Sequence, residues 1–288
     1  MSLRRFLQLD VFAHRIGAGN PLAVVFDAQG MDEAAMQSFA AWMHLPETVF
    51  LLPPQAGGDY RVRIFTPKRE LAFAGHPSLG AAWAVLDARR VPAERESMIQ
   101  ECAAGLLPVR IVHDAGQVRL SIRTPGARAC EVDAAQTQSV DVALAGVARG
   151  AVVPALWDNG ARWWLAELAG ERTVRGLQPD LAAIAALSGE DALGLAVFAR
   201  SDEPGYAWVV RVFGPGDGFA EDPVTGSANA AIAAALLAQG RVARGDGYQV
   251  SQGREVGRDG CVELRIDEDG EIWIGGRVQA VVRGTVEW

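Results

Sequence analysis

The sequence predicts an α+β fold built from two similar domains. Three observations support this: strand-like segments outnumber helical ones, one turn-and-helix pattern occurs twice, and two helices are apolar on every side. The chain has 288 residues, of which 50% are apolar, so it is long enough for two cores and too apolar for a disordered chain. We expect one domain from residues 1–120 with a C-terminal strand 277–288, and a second from 121–276.

The first half of the chain is predicted to begin with a hairpin, because the turn Gly17-Ala-Gly-Asn-Pro21 separates two segments rich in strand-forming residues. A helix is predicted over 31–42, where apolar side chains recur at helical spacing behind the acidic pair Asp32-Glu33. The predicted strands are 6–12, 22–26, 49–52, 60–65, 107–112 and 117–123, with one more near Glu101, and an apolar helix covers about 77–86.

The second half is predicted to repeat this plan. Its strands are expected at 151–156, 163–168, 194–199, 207–213, near Tyr248, and at 262–266, 272–274 and 278–286. Helices are expected at 180–187 and 226–238, and Gly240 follows the second helix in the position of a C-terminal glycine cap.

One ten-residue segment recurs 146 residues further along the chain. Phe73–Ala82 and Phe219–Ala228 share five of ten residues, and each precedes an alanine-rich helix. Each also follows a strand that ends in Phe-x-Pro. We infer an internal duplication, in which His76 and Asp222 occupy equivalent positions.

The two apolar helices are expected to be buried, each as a central helix wrapped by the strands of its domain. The N-terminus of a helix carries unpaired N–H groups and the positive end of the helix dipole, so two such ends facing one cleft could hold a substrate carboxylate. The alternative is that Pro77 and Pro223 only start two core helices.

Composition excludes several classes of partner. The net charge is −8 and basic residues form no run, which argues against nucleic acid and anionic membranes and leaves a small-molecule ligand. Three scattered cysteines fit a reduced cytoplasm, and no segment has the length or apolarity of a membrane span or secretory signal. Histidines and cysteines also lack metal-site spacing, so no metal is expected.

Five motifs stand in order along the chain: Gly19-Asn-Pro-Leu-Ala-Val-Val25, Glu47-Thr-Val-Phe50, Ala74-Gly-His-Pro77, Glu221-Asp-Pro-Val-Thr-Gly-Ser-Ala228 and Gln252-Gly-x-x-Val-Gly-Arg258. Together they resemble the PhzF family of phenazine-biosynthesis-like isomerases. The resemblance implies the fold of diaminopimelate epimerase, in which each of two duplicated domains wraps a barrel-like mixed or antiparallel sheet around a central helix. It places the active site between the domains.

By this resemblance Glu47 is the general acid/base that takes a proton from one carbon of a small carboxylated substrate and returns it to another carbon or to the opposite position. His76 and Asp222 assist it. Substrate-binding groups are implied at Gly75, Gly226, Ser227 and Asn20, the first two through backbone N–H groups. The resemblance implies no cofactor and suggests a homodimer.

Two departures qualify the resemblance. Neither copy of the recurring segment contains a cysteine, which argues against racemisation through two thiols. Pro46 stands before Glu47, where the family more often has a small hydroxylated residue, so the local hydrogen bonding of Glu47 is expected to differ.

Purely structural interpretations of the same residues stay open from the sequence. Glu47 could be a solvated turn residue, His76 a packed turn histidine, Asp222 a helix cap and Ser227 a first-turn hydroxyl. The chain could accordingly be a binding protein that closes on a metabolite or partner, or a lyase that shares the proton-abstraction step.

Overall fold

The structure is a computed structural model that describes residues 2–92, 94–114, 117–187 and 192–288. Strands dominate it and helices are few, so the predicted α+β class is confirmed. The elements in chain order are β1 Leu3–Val11, β2 Asn20–Val25, α1 Glu33–Met43, β3 Glu47–Leu52, β4 Tyr60–Phe65, β5 Glu70–Leu71, α2 Gly75–Asp87, β6 Ser97–Cys102, β7 Gly105–Asp114, β8 Gln117–Arg123, β9 Arg128–Ala129, α3 Ala134–Ala143, β10 Ala155–Asp158, β11 Arg162–Glu167, α4 Glu171–Arg175, α5 Leu181–Leu187, β12 Gly194–Arg200, β13 Trp208–Gly214, β14 Phe219–Asp222, α6 Gly226–Ala238, β15 Gly247–Gln252, β16 Gly260–Ile266, β17 Ile272–Gly276 and β18 Val278–Glu287.

The chain divides into two compact units. Unit 1 consists of Met1–Arg123 and Gly275–Trp288, and unit 2 is the continuous segment Thr124–Ile274. Unit 1 therefore takes strands from both ends of the sequence.

Unit 1 contains a mixed sheet around a buried helix. β1 pairs antiparallel with both β18 and β2, β2 pairs parallel with β3, and β3 pairs antiparallel with β4. β4 then pairs parallel with β6, which continues through antiparallel β7 and β8. Helix α2 contacts β1, β2, β3, β4, β8 and β18, and ten of its 13 residues are buried. Its sequence is apolar on every side because strands surround it.

A second core of unit 1 lies under α1. The rings of Phe39, Phe50 and Phe65 form successive edge-on contacts, and Trp288 also packs edge-on against Phe39. The indole of Trp288 donates a hydrogen bond of 3.1 Å to the carbonyl of Ala35 in α1. The aromatic side chains thus fix α1 to the sheet.

Unit 2 also has a mixed sheet with a buried helix. β10 pairs antiparallel with β11, β11 parallel with β12, and β12 antiparallel with β13. β13 pairs antiparallel with β14 and parallel with β15, which pairs antiparallel with β16. Helix α6 is buried along most of its length and contacts β9, β11 and β16. Val140 of α3, Val174 of α4 and Ile184 of α5 share another core with Phe213 of β13.

Several predicted boundaries match the structure. The strand 60–65 and the helix 226–238 have the predicted limits, and Gly240 has a left-handed φ of 67° just after α6. Helices α3 and α4 were not predicted. The apolar spacing of α3 is weak, but Asp133 and Gln136 form a capping box, a sequence signal that marks this helix start.

The predicted equivalence of His76 and Asp222 is wrong. Helices α2 and α6 each span 13 residues, and their first residues, Gly75 and Gly226, lie 151 positions apart rather than 146. Counted from the helix start, His76 corresponds to Ser227.

The positions of the two prolines explain why the predicted alignment of the two helices is shifted by five residues. Pro77 is the third residue of α2, whereas Pro223 precedes α6 and lies outside it. Proline is accepted both before a helix and in its first turn, so the shared Phe-Ala-x-x-Pro pattern does not fix the register. The interpretation that both prolines start their helices is therefore wrong for Pro223.

Among the helices of the described residues, none combines the length and apolarity that a membrane span requires.

Candidate functional site

The predicted site residues fall into two groups, one in each unit, and each group surrounds the N-terminus of a buried helix. The N-cap residues are Ala74 for α2 and Thr225 for α6, and neither side chain caps its helix. The N-cap side chains thus do not bind the first N–H groups of their helices, and the helix dipole favours a negative group beside them.

In unit 1, Glu47 is the first residue of β3. Helix α1 ends at Met43, and His44 takes a left-handed conformation with φ of 52° that turns the chain toward the strand. Glu47 lies opposite Leu22 of β2 in the parallel register, and its side chain is 16% exposed. Glu47 is therefore not a solvated turn residue, as the structural interpretation had it.

The carboxyl of Glu47 lies beside the ring of His76, the second residue of α2. Glu47 Oε2 and His76 Nε2 are 3.2 Å apart, and His76 is only 4% exposed. Burial lowers the pKa of His76 from 6.5 to about 3, although a hydrogen bond to the backbone of Pro21 opposes the shift. His76 is therefore neutral at pH 7.

A neutral ring has one N–H donor, and its position follows from the two contacts. Proline has no backbone N–H, so the Pro21 group must be the carbonyl, which needs a donor on His76. Nε2 faces Glu47, so Nδ1 carries the proton and Nε2 presents a lone pair to the carboxyl. The contact is attractive when one proton lies between Nε2 and Oε2.

Two further predicted residues of unit 1 adjoin this pair in the chain. Gly75 is the first residue of α2, directly before His76, and is buried. Asn20 is fully buried as the first residue of β2 and directly precedes Pro21. The structure therefore gathers Glu47, His76 and Gly75 at the start of α2, with Asn20 one residue from the carbonyl that binds His76.

In unit 2, Asp222 ends β14 and is 8% exposed. Its Oδ2 accepts a hydrogen bond of 2.5 Å from the hydroxyl of Thr225. The N-cap of α6 is Thr225, so Asp222 does not stand at the cap position itself. The hydroxyl of Thr225 orients the carboxylate.

Gly226 and Ser227 are the first two residues of α6, and both are buried. Ser227 Oγ accepts a hydrogen bond of 3.0 Å from the indole N–H of Trp163, and its carbonyl accepts one of 2.8 Å from Asn159. Since the indole can only donate, the serine hydroxyl keeps its own proton for another acceptor.

Four residues that orient this group had no predicted role: Asn159, Trp163, Thr225 and Gln252. Trp163 and Asn159 carried no motif that would distinguish them from core residues. Thr225 and Gln252 belong to two of the five sequence motifs, but the motifs did not indicate what these two side chains do. The described residues contain no group of three His, Cys, Asp or Glu side chains that could hold a metal ion.

Comparisons with known proteins point to one family. A model of the family described as phenazine biosynthesis-like protein, PhzC-PhzF, matches residues 9–284. Trans-2,3-dihydro-3-hydroxyanthranilate isomerase of Pseudomonas aeruginosa is 32% identical over 283 residues, which cover 97% of this chain and 94% of the relative. Antisense-enhancing sequence 1 of Schizosaccharomyces pombe is 29% identical over 294 residues and 99% of both chains.

A solved structure shows the same fold. The PhzF-family phenazine biosynthesis protein of Bacillus anthracis superposes with a TM-score of 0.85 over 100% of both chains, at 22% identity.

Proposed function

Because this chain belongs to the PhzC-PhzF family of phenazine-biosynthesis-like isomerases, we propose that Glu47 is the proton carrier of a cofactor-independent isomerisation or epimerisation. The substrate is a small carboxylate with an acidic C–H bond. Glu47 breaks this bond by accepting the proton, the electron pair spreads into the substrate's conjugated system, and Glu47 returns the proton to another carbon or to the opposite face.

The contact between Glu47 and His76 carries this proposal. A proton carrier must hold its proton between two steps, and the lone pair of Nε2, 3.2 Å from Oε2, supports the protonated carboxyl. Burial keeps His76 neutral, so it does not compete for that proton as a stronger base. This arrangement suits a carboxyl that alternates between two protonation states.

The helix N-termini support the carboxylated substrate class. Gly75 of α2 and Gly226 of α6 begin helices whose N-cap side chains do not bind the first N–H groups, and the hydroxyl of Ser227 adds a donor. Such donors stabilise both a carboxylate and the negative charge that develops when a neighbouring C–H bond breaks.

The test is hydrogen exchange into substrate carbon. The protein is incubated in D₂O with trans-2,3-dihydro-3-hydroxyanthranilate, related cyclic dienes and amino acids, and NMR follows deuterium entering carbon positions. We expect exchange by the wild type and its loss in Glu47→Gln, which keeps the shape of the side chain but cannot accept the proton. Ligand binding and the melting temperature are expected to persist.

The matched control is His14→Gln, a substitution at an exposed position that should leave exchange unchanged. Undiminished exchange in Glu47→Gln would remove Glu47 as the carrier. Ligand-induced shifts in the wild type without any exchange would favour the binding-protein alternative, and loss of a leaving group with exchange would favour the lyase.

Two expectations from the sequence, a homodimer and a substrate held between the two domains, stay predictions. Light scattering of the purified protein tests the first, and a crystal structure with a bound carboxylate tests the second.

A further inference from the structure

The Gln252-Gly253 motif has a specific structural part in unit 2. Gln252 is the last residue of β15 and is fully buried, and its amide makes four hydrogen bonds. Its Oε1 accepts from the backbone N–H of Thr225 at 3.1 Å and from the side-chain amide of Asn229 at 2.8 Å. Its Nε2 donates to the carbonyl of Asp222 at 3.1 Å and to the hydroxyl of Thr225 at 3.0 Å.

These partners fix the orientation of the Gln252 amide. The backbone N–H of Thr225 can only donate and the carbonyl of Asp222 can only accept, so the oxygen and nitrogen of the amide cannot be exchanged. The Thr225 hydroxyl accepts from Gln252, and its single proton points to Asp222 Oδ2. Gln252 therefore donates to Thr225, and Thr225 donates to the Asp222 carboxylate. This series of hydrogen bonds has a single direction.

Gly253 explains how β15 comes close enough to make these bonds. Its φ is 92°, and a Cβ atom at this position would lie 2.3 Å from the carbonyl oxygen of Pro223. A larger residue is excluded by both the backbone conformation and this close approach. The pair Gln252-Gly253 therefore acts as one unit against the turn that precedes α6.

This series of hydrogen bonds favours the ionised state of the Asp222 carboxyl. A carboxylate that is 8% exposed has lost most of its hydration, which disfavours its charge, and a hydrogen bond donated to the charged form compensates. The hydroxyl of Thr225 donates this hydrogen bond to Asp222 Oδ2.

We propose that Thr225 and Gln252 are positioning residues that hold the Asp222 carboxylate ionised and in one orientation, as the acceptor for an N–H or O–H group of the substrate. The inference rests on the proposed function, since it gives Asp222 a part in the same reaction. Thr225 and Gln252 act through Asp222, and no contact between them and substrate is required.

The first test needs no activity. In protein labelled with ¹³C at aspartate carboxyls, the Asp222 signal is assigned by its loss in Asp222→Asn and titrated with pH. In Thr225→Val, which keeps the shape but lacks the donor, the midpoint should rise by about one pH unit or more. Thr225→Ser keeps the hydroxyl and should titrate like the wild type. An unchanged midpoint in Thr225→Val overturns the proposal.

The second test uses deuterium exchange with the substrate identified above. Thr225→Val should lower kcat by about tenfold or more and move the acidic limb of its pH profile upward, with a smaller effect on KM, whereas Thr225→Ser restores both. A lower melting temperature with an unchanged pH profile would show a merely structural role and count against the proposal. Thr137→Val, a matched substitution in α3, should change neither readout.

The two tests distinguish a failure of the proposed function from a failure of the proposal about Thr225 and Asp222. If the wild type exchanges no substrate hydrogen, the proposed function fails, while the titration still decides whether Thr225 holds Asp222 ionised. If Thr225→Val does not fold, Gln252→Met replaces it. This variant adds no charge and loses the donor to the Thr225 hydroxyl, and the same upward shift of the Asp222 midpoint is expected.

Discussion

His76 shows how burial of one side chain links the site to stability. Its pKa is about 3 in the folded protein and 6.5 for an ordinary histidine. Between these values the unfolded chain binds a proton that the folded protein does not, so the free energy of unfolding falls as the pH falls from 6.5 toward 3. Well above pH 6.5 neither state is protonated and this contribution is constant.

We therefore expect His76→Gln to unfold with a weaker dependence on pH in this window. Urea unfolding of wild type and variant at several pH values between 4 and 7 measures it. His14→Gln, at an exposed position, is the control and should keep the wild-type dependence. Equal slopes in the wild type and His76→Gln would contradict a neutral buried ring.

Thr48 carries a buried hydroxyl without a hydrogen-bond partner among the described residues. Its strand neighbours Ala23 and Phe65 belong to the core under α1. A buried polar group that lacks a partner is destabilising, so Thr48→Val should stabilise the protein by about 1 kcal/mol. Thermal unfolding measures the change. Thr48→Ser keeps the hydroxyl and removes a methyl, and should be less stable than the wild type.

At the residue scale, the motifs carried the information that one sequence offers about the site. The motifs pointed to Glu47 and His76, and the structure places the two side chains in contact. The orienting residues Trp163 and Asn159 could not be found, because they reach Ser227 from a strand and a loop more than 60 residues away. Such long-range hydrogen bonds leave no periodic pattern in one sequence.

At the scale of elements, Gly80 sets how closely α2 approaches the sheet. A Cβ atom on Gly80 would lie 2.3 Å from Leu22 Cδ2 and 3.1 Å from Val11 Cγ2, and both neighbours are fully buried. Alanine favours a helix by about 1 kcal/mol over glycine, but overpacking a core costs about 1–3 kcal/mol. Gly80→Ala should therefore lower the melting temperature in spite of its better helix propensity.

The control for this change is Gly284→Ala in β18. No atom lies within 4 Å of a Cβ built there, so the stability should stay within about 0.5 kcal/mol of the wild type. A Gly80→Ala protein as stable as the control variant would mean that Leu22 and Val11 can move aside.

The elements themselves were predicted to different degrees for a physical reason. Helix α6 was predicted to the residue because it is a continuous apolar segment followed by a glycine in a left-handed conformation. Helix α3 was missed because only Val140 and Ala143 are buried, which leaves too few apolar positions for a clear period. The duplicated helices were predicted, but their register required the three-dimensional helix starts.

At the scale of the whole molecule, the two units differ in how the sequence builds them. Unit 2 is one continuous segment, whereas unit 1 combines Met1–Arg123 with Gly275–Trp288. The two segments of unit 1 are connected by the antiparallel pairing of β1 with β18, which extends from Leu3 opposite Glu287 to Val11 opposite Val278. Without β18, one edge of β1 loses its partner along the whole strand.

We expect residues 124–274 to fold when expressed alone, and residues 1–123 not to. Joining 275–288 to the end of 1–123 through a short flexible linker should restore the fold of unit 1. Circular dichroism and the dispersion of amide NMR signals measure both. A folded 1–123 fragment would show that β18 is dispensable.

The same pairing sets an order of events on the ribosome. The chain is made from its N-terminus, so all of unit 2 is synthesised before the partner of β1. While unit 2 is being made, β1 waits with one edge unpaired. That interval is when the nascent chain is most exposed to aggregation, and a chaperone that shields β1 would act then.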